Sequence, residues 1–223
     1  MKPMTVAIDG PAGAGKSSVA KVLASRLHYT YIDTGAMYRA ITWALLQDHV
    51  DITDTEAVRK CLAAVTIRLV PEPDICRVYV NETEVTEAIR KADIASHVSA
   101  VAALAVVREK LVQLQRDLAK GGNVVLDGRD IGTVVLPDAD VKIFLTASVA
   151  SRAKRRYNEL SAQGSTASLA DIAASIEARD YTDSHRAISP LRQADDAVLL
   201  DNSELTLEGT AEAIIQIIRS NAK

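Results

Sequence analysis

This chain has few cysteines, little net charge and no long apolar run. Its 223 residues include two cysteines, Cys61 and Cys76, at no metal-ligand spacing, so two reduced thiols are expected. The net charge of −3 gives no global attraction to nucleic acid, so anion binding requires local basic clusters. No apolar run is long enough to cross a bilayer, and no apolar signal region precedes the first predicted strand. We expect a cytoplasmic protein with no membrane or nucleic-acid partner, and a monomer by default.

Short apolar runs alternate with helical patterns along most of the chain. The composition, 48% hydrophobic and 25% charged, is that of an ordinary globular domain. Five runs are predicted as strands: Thr5–Asp9, Tyr29–Asp33, Asn123–Asp127, Asp140–Ala147 and Ala197–Asp201. Apolar strands joined by helical crossovers indicate an α/β fold with a five-stranded parallel sheet flanked by helices.

The middle of the chain departs from this rhythm. Three runs alternate apolar and polar residues and predict a small antiparallel insertion: Val65–Val70, Cys76–Val80 and Thr83–Thr86. Two helices are expected next, at about Glu87–Ser96 and Val98–Lys120, although one helix with a break near Ser96–Ser99 fits equally well. A later helix is expected to begin near Ser168, at a capping pattern, and to end before Ser189-Pro190.

The stretch Gly10–Ser17, GPAGAGKS, matches the phosphate-binding pattern G-x-x-x-x-G-K-[ST] between a predicted strand and a predicted helix. Its glycines permit the positive φ angles that turn successive N–H groups toward one anion, and the helix N-terminus adds its dipole. Lys16 can reach the outer phosphates, and the Ser17 hydroxyl can ligate Mg²⁺. The stretch predicts a P-loop NTPase-type fold that binds a nucleoside triphosphate, most simply ATP.

The motif leaves three classes of protein open: a small-molecule kinase, a nucleotide-driven switch or motor, and a protein that binds nucleotide without turnover. A GTPase-type switch should carry an N-K-x-D segment, and the chain has none. The strand that ends in Asp127 could support a motor, but the following Gly128-Arg129-Asp130 points to another role.

Three clusters are candidates for a second anion site. They are DTGAMYR (Asp33–Arg39), DGRDIG (Asp127–Gly132) and ARDYTDSHR (Ala178–Arg186). Arg179, Asp183 and Arg186 share one helical face, which taken alone is typical of surface salt bridges. DGRDIG follows a predicted core strand, where open α/β sheets bind ligands. Together the clusters predict a clamp for a phosphorylated, hydroxylated substrate.

A basic run also follows the fourth predicted strand. Arg152, Lys154, Arg155 and Arg156 place four cations within five positions, and Tyr157 is the one aromatic beside them. Such runs are usually solvated, and this one is too short and too poor in aromatics to indicate nucleic-acid binding. In a kinase it can close over the triphosphate and exclude water.

From residue 5 to about 201 the chain resembles the bacterial cytidylate kinases, within the P-loop nucleoside monophosphate kinases. The resemblance is carried by IDGPAGAGKSS, DTGAMYR, VVREKL, LDGRDIGTVVLPDADVKIFLTAS, RAKRR and RDYTDSHRAISPLRQADDAVLLD. It implies an enzyme that transfers a phosphoryl group reversibly from ATP to CMP or dCMP, with Mg²⁺, in pyrimidine nucleotide metabolism. Another P-loop small-molecule kinase is the alternative within the same class.

The resemblance also implies roles for individual residues. Arg39 and Arg129 would hold the α-phosphate of the acceptor. The cytosine edge would be read by Ser99, Arg108 and Asp130, with Arg186 between base and phosphate. Arg179 and Asp183 would bind the sugar, and Thr34 stands where many relatives have serine. Thr182 lies where some members carry arginine, which leaves the sugar side one cation short.

On the donor side, the implied ATP-binding residues are Gly10, Pro11, Ala12, Gly13, Ala14, Gly15, Lys16, Ser17, Ser18 and Arg156. The implied catalytic cations are Lys16, Arg129, Arg152, Arg155 and Arg186, with Ser17 as metal ligand. Asp33 and Asp127 both stay open as holders of metal-bound water. The implied regions are a core (residues 1–33, 109–150 and 169–223), a monophosphate-binding region (34–108, with a β insertion at about 63–87) and a short helical lid (151–168).

Overall fold

A computed structural model describes residues 3–72, 75–162 and 164–221 of the chain. Residues 1–2, 73–74, 163 and 222–223, which fall within the predicted regions, lie outside the described residues. The strands are β1 Thr5–Asp9, β2 Thr30–Asp33, β3 Ile67–Pro71, β4 Cys76–Val80, β5 Thr83–Glu84, β6 Val124–Gly128, β7 Val141–Thr146 and β8 Val198–Asp201.

The helices are α1 Lys16–Leu27, α2 Thr34–Gln47, α3 Thr55–Ala64, α4 Ala92–Val101, α5 Ala105–Ala119, α6 Val149–Ala162, α7 Leu169–His185 and α8 Leu207–Asn221. A 3₁₀ turn spans Ala88–Arg90 and a π-helical turn spans Ile131–Val135. In the described part of the chain, no helix is long and apolar enough to cross a membrane. The chain divides into two compact units, Met1–Tyr31 with Gly121–Lys223, and Ile32–Lys120.

The main sheet has the strand order β2-β6-β1-β7-β8. β1 pairs in parallel with β6 on one side and with β7 on the other, in a register that sets Asp9 opposite Gly128 and Phe144. β7 pairs in parallel with β8. The predicted five-stranded parallel sheet is confirmed, and each predicted strand matches within one residue at either end.

The core of the first unit lies between this sheet and two helices. Apolar residues of β1, β6 and β7 pack against α1 and α8; the fully buried members include Val6, Ile8, Leu23, Val125, Leu145, Ala211, Ile214 and Ile218. α1 has its apolar residues at the predicted helical spacing, so one face is buried while Ser17 and Ser18 stay exposed at its start. The packing fixes α1, and therefore the loop before it, against the end of β1.

The second unit contains the antiparallel insertion and four helices. β3 pairs with β4, with Ile67 opposite Val80, and β4 pairs with β5, so the predicted antiparallel sheet is confirmed. The predicted helix break near Ser96–Ser99 is wrong, because α4 continues through it and the chain breaks at residues 102–104. Ile94, Val98 and Val101 form one buried stripe, and this burial favours helix across the expected break.

The helix predicted to begin near Ser168 is confirmed as α7. The predicted domain ranges stay predictions. Ser168 caps α7 by accepting a hydrogen bond from the Asp171 amide, and α7 ends at His185, before Ser189-Pro190. The finer division into core, acceptor-binding region and lid remains a hypothesis drawn from the family resemblance.

Gly10 is the tightest point of the first unit. A Cβ at this position would lie 1.9 Å from the Leu145 carbonyl oxygen of β7, and φ is +150°. Gly121 also has a positive φ, +98°, but a Cβ there meets nothing within 4 Å. We expect Gly121→Ala to cost about 1 kcal/mol of unfolding free energy, from backbone strain alone. Gly10→Ala should cost at least about 2 kcal/mol more, because the backbone of β7 must move.

Urea unfolding of the two variants beside the wild type measures this difference. Equal losses at the two positions would contradict the close approach of β7 to Gly10.

Candidate active site

The P-loop joins the end of β1 to the start of α1. Gly13 and Gly15 have φ angles of +76° and +86°, in the left-handed region that glycine adopts at little cost. Gly15 is the N-cap residue of α1 and supplies no side-chain cap, so the first amides of the helix are left for an anion. The predicted phosphate-binding stretch Gly10–Ser18 therefore has the backbone that its motif requires.

Lys16 is buried at the base of this loop. Its Nζ donates a hydrogen bond to the Pro11 carbonyl oxygen at 2.7 Å, across the loop. Burial and the neighbouring Arg129 lower the pKa of Lys16 to about 7, against the opposing charges of Asp127 and Asp9. A polyphosphate brought close to Nζ would favour the charged form, so this lysine is suited to bind an anionic group.

Ser17 lies next to a carboxylate from the neighbouring strand. Its hydroxyl donates to Asp127 Oδ2 at 2.7 Å, and the Tyr31 hydroxyl donates to Asp127 Oδ1 at 2.8 Å. Asp33, the other acidic candidate for metal-bound water, instead caps α2 by accepting from the Ala36 amide. Ser17 and Asp127 therefore form the oxygen-rich corner of the loop.

The motifs DGRDIG and RDYTDSHR, which lie far apart in the sequence, meet within the first unit. Arg129 Nε donates to Asp183 Oδ2 at 2.8 Å, and Arg186 NH2 lies 3.6 Å from Asp130 Oδ1. Arg179 lies close enough to Lys16 to contribute to the lowering of its pKa. DGRDIG and RDYTDSHR thus form two crossed ion pairs, Arg129–Asp183 and Asp130–Arg186. The clamp for a phosphorylated substrate stays a prediction.

The basic run lies on α6, and its arginines differ in surroundings. Arg152 is buried: Nε donates to the Ala147 carbonyl at 2.9 Å, NH1 to the Ala12 carbonyl at 3.0 Å, and NH2 pairs with Asp180 at 2.7 Å. Arg155 donates to the side chain and carbonyl of Asn202. Arg156 is exposed and pairs with Glu159 one turn along. Arg152 thus ties α6 directly to the P-loop.

The remaining predicted residues lie in the second unit. Thr34 is buried at the start of α2, and Arg39 pairs with Asp33 at 3.3 Å. Ser99 lies on α4. Arg108, buried on α5, donates to the Ala102 carbonyl and lies 5.6 Å from the centre of the Tyr38 ring. The acceptor roles predicted for these four residues stay predictions.

Sequence reasoning missed three buried or half-buried residues that organise the site. Asp9 accepts from the amides of Ile131 and Gly132, at 2.8 and 2.7 Å. Asn202 donates to the Ala14 carbonyl of the P-loop and accepts from Arg155. Asp180 pairs with Arg152. Asp9 and Asp180 stand inside the quoted stretches IDGPAGAGKSS and RDYTDSHR, where neither was assigned a role. Asn202 directly follows β8 and has no pattern of its own.

Comparison with known proteins agrees with this geometry. A family model described as cytidylate kinase matches residues 6–220. A cytidylate kinase of Leuconostoc mesenteroides is 51% identical over 221 residues, covering 99% of both chains, and one of Bacillus subtilis is 48% identical over 222 residues, covering 100% of this chain and 99% of the relative.

Among solved structures, similarity extends to more distant kinases. Shikimate kinase from Acinetobacter baumannii in complex with shikimate has a TM-score of 0.51 at 15% identity, covering 99% of this chain and 95% of that one. A gluconokinase from Sinorhizobium meliloti has a TM-score of 0.50 at 17% identity, covering 100% and 96%. At this identity the two structures establish the fold alone.

The pKa of Asp9 makes stability depend on pH in a defined window. Burial raises its pKa from 3.8 to about 6, against the two amide hydrogen bonds, which lower it. Since the folded pKa exceeds the unfolded one, the contribution of Asp9 is fully present below pH 4 and is lost as pH rises through 6. The unfolding free energy of the wild type minus that of Asp9→Asn should therefore fall by up to about 3 kcal/mol between those values.

Urea unfolding of both proteins across this pH range measures the difference, because titrations common to both cancel. A difference that stays constant, or that grows as pH rises, would contradict the burial of an ionisable Asp9.

Proposed function

The chain belongs to the cytidylate kinase family, and from that premise we propose that it transfers the γ-phosphate of ATP reversibly to CMP or dCMP, with Mg²⁺, giving CDP or dCDP. The observation that carries the proposal is the meeting of Arg129–Asp183 and Asp130–Arg186 near Lys16. These side chains gather at the carboxyl edge of a parallel sheet, which is where open α/β folds bind ligands.

The donor triphosphate is held by the P-loop. Amides of residues 13–18 converge on the phosphates, and Lys16 exchanges the Pro11 carbonyl for the outer phosphate oxygens. Arg155, held beside Gly15 through Asn202, adds positive charge on the same side. Arg152 contributes through the loop itself, since its NH1 donates to the Ala12 carbonyl. Arg156 stays a predicted ATP-binding residue.

The residues around Ser17 fit a magnesium ion. Mg²⁺ takes oxygen ligands, usually one or two from protein groups and the rest from water and substrate phosphates. The Ser17 hydroxyl and the Asp127 carboxylate supply such oxygens. Among the described residues, no group of three or more histidine, cysteine, aspartate or glutamate side chains could hold a metal ion. When bound, it neutralises charge on the phosphate oxygens.

The acceptor is read by the crossed ion pairs. Arg129 binds the α-phosphate, while Asp130 accepts a hydrogen bond from the cytosine N4 amino group. Uracil presents a carbonyl at that place, so the same carboxylate repels it and is left unpaired. The acceptor-binding roles of Arg39, Ser99 and Arg108, which lie in the second unit, stay predictions from the family resemblance. Arg179 and Asp183 contact the sugar, and Arg186 lies between base and phosphate.

No general base is required, because the attacking group is already an anionic phosphate oxygen. Rate enhancement comes from alignment of the two phosphates and from the balance of their charge by Lys16, Arg129 and the other arginines. Residues 151–168 act as a lid that excludes water, since water would otherwise accept the phosphoryl group.

A substrate panel tests the proposal directly. In an assay that couples ADP release to a colour change, CMP and dCMP should exceed UMP in kcat/KM by at least about a hundredfold, because a buried polar site rejects the wrong base strongly. AMP should be poorer still. The control is Lys16→Ala, which should lose at least about a hundredfold in kcat while keeping the fold.

Faster turnover of UMP or AMP than of CMP would contradict the cytosine assignment and favour another small-molecule kinase. ATP binding without any CMP-dependent release of ADP would identify a nucleotide-binding protein that does not turn over its ligand.

A further inference from the structure

Asp9 is a buried carboxylate that the reaction described above does not use. It ends β1, directly before the P-loop, and is 5% exposed. Both of its oxygens accept backbone hydrogen bonds: Oδ1 from the Ile131 amide at 2.8 Å, and Oδ2 from the Gly132 amide at 2.7 Å. A carboxylate with two short amide hydrogen bonds holds its partner segment firmly, since charge-assisted bonds are about twice as strong as neutral ones.

Those two amides open the π-helical turn that follows Asp130. The Asp130 carbonyl accepts from the amides of Val134 and Val135, which closes the turn, but the Asp130 side chain makes no capping bond to it. The N-terminal amides of the turn are satisfied by Asp9 instead. Asp9 therefore does the capping from another strand, and the Asp130 carboxylate is left to face Arg186.

The turn also lies close to Lys142 at Gly132. A Cβ at Gly132 would lie 3.1 Å from Lys142 Cδ and 3.4 Å from Asp9 Oδ2. Lys142, whose side chain is buried, pairs with the exposed Asp196 at 2.7 Å and donates a hydrogen bond to the Pro137 carbonyl. The turn thus lies close to the side chains of both Lys142 and Asp9, and its position depends on the hydrogen bonds that Asp9 accepts.

We propose that Asp9 is a positioning residue for nucleobase selectivity, which fixes the backbone from which the Asp130 carboxylate reads cytosine. The inference rests on the base-reading role of Asp130 proposed above. Asparagine at position 9 would keep one accepting oxygen but turn an NH₂ group toward the other amide. The turn must then shift, and a displacement of about 1 Å at a reading group can cost on the order of a hundredfold.

The test compares the ratio of kcat/KM for CMP to that for UMP in wild type, Asp9→Asn, Asp130→Asn and the double variant. Asp9→Asn should lower the ratio at least about tenfold while KM for ATP stays within about twofold. In the Asp130→Asn background, Asp9→Asn should lower the ratio no further, because it acts through Asp130.

The matched control is Asp140→Asn. Asp140 also accepts hydrogen bonds from a backbone amide and a hydroxyl, those of Thr5, but at the other end of β1 and in an exposed position. This variant should leave the ratio unchanged. If Asp9→Asn does not fold, Gly132→Ala crowds the same turn against Lys142 and Asp9, and it should also lower the ratio.

The outcomes distinguish a failure of the base-reading role of Asp130 from a failure of the positioning role of Asp9. An unchanged ratio in Asp130→Asn would refute the base-reading role and with it the premise. The positioning role alone would be overturned if Asp130→Asn lowers the ratio while Asp9→Asn leaves it unchanged. If Gly132→Ala is used in place of Asp9→Asn, an unchanged ratio in that variant has the same meaning. An equal loss from Asp9→Asn in both backgrounds, or a matching rise in KM for ATP, would also overturn it.

Discussion

The parallel pairing of β1 with β6 is the constraint on which the site depends. Because Asp9 lies opposite Gly128, the P-loop and the DGRDIG segment leave the sheet at the same edge. Ser17 can then reach Asp127, and Asp9 can reach the amides of Ile131 and Gly132. Gly10 permits the close approach of β7 on the other side. The P-loop and the turn that follows Asp130 are therefore built on adjacent strands of one sheet.

A second constraint is electrostatic. The site concentrates cations for two phosphorylated ligands, and a buried charge is costly unless it is paired and hydrogen-bonded. Three arginines near the loop have a carboxylate partner: Arg129 has Asp183, Arg186 has Asp130, and Arg152 has Asp180. Lys16 is the contrasting case, since burial and Arg129 lower its pKa. The carboxylates thus balance the charges of these arginines and orient their guanidinium groups.

Much of this architecture could be predicted from the sequence, because local patterns determine it. Short apolar runs indicated the strands of the parallel sheet, and runs that alternate apolar and polar residues indicated the antiparallel insertion. The P-loop motif indicated Lys16 and Ser17. The contacts of Asp9 and Asn202 could not be predicted, because each joins residues more than a hundred positions apart through the fold. The helix break was misplaced for a related reason: burial of Val98 and Val101 stabilises helix where the local sequence suggested an interruption. The convergence of DGRDIG with RDYTDSHR was expected as a hypothesis, but its pairing of Arg129 with Asp183 was not.

We propose that one edge of the sheet holds both substrates and that Asp130 reads the base. The most direct test is a crystal structure with adenosine and cytidine joined through five phosphates. We expect the cytosine N4 amino group to lie about 3 Å from the Asp130 carboxylate. We also expect Lys16 Nζ to have left the Pro11 carbonyl for a phosphate oxygen. A cytosine held by other residues, with the Asp130 carboxylate out of hydrogen-bond range of N4, would contradict the assignment.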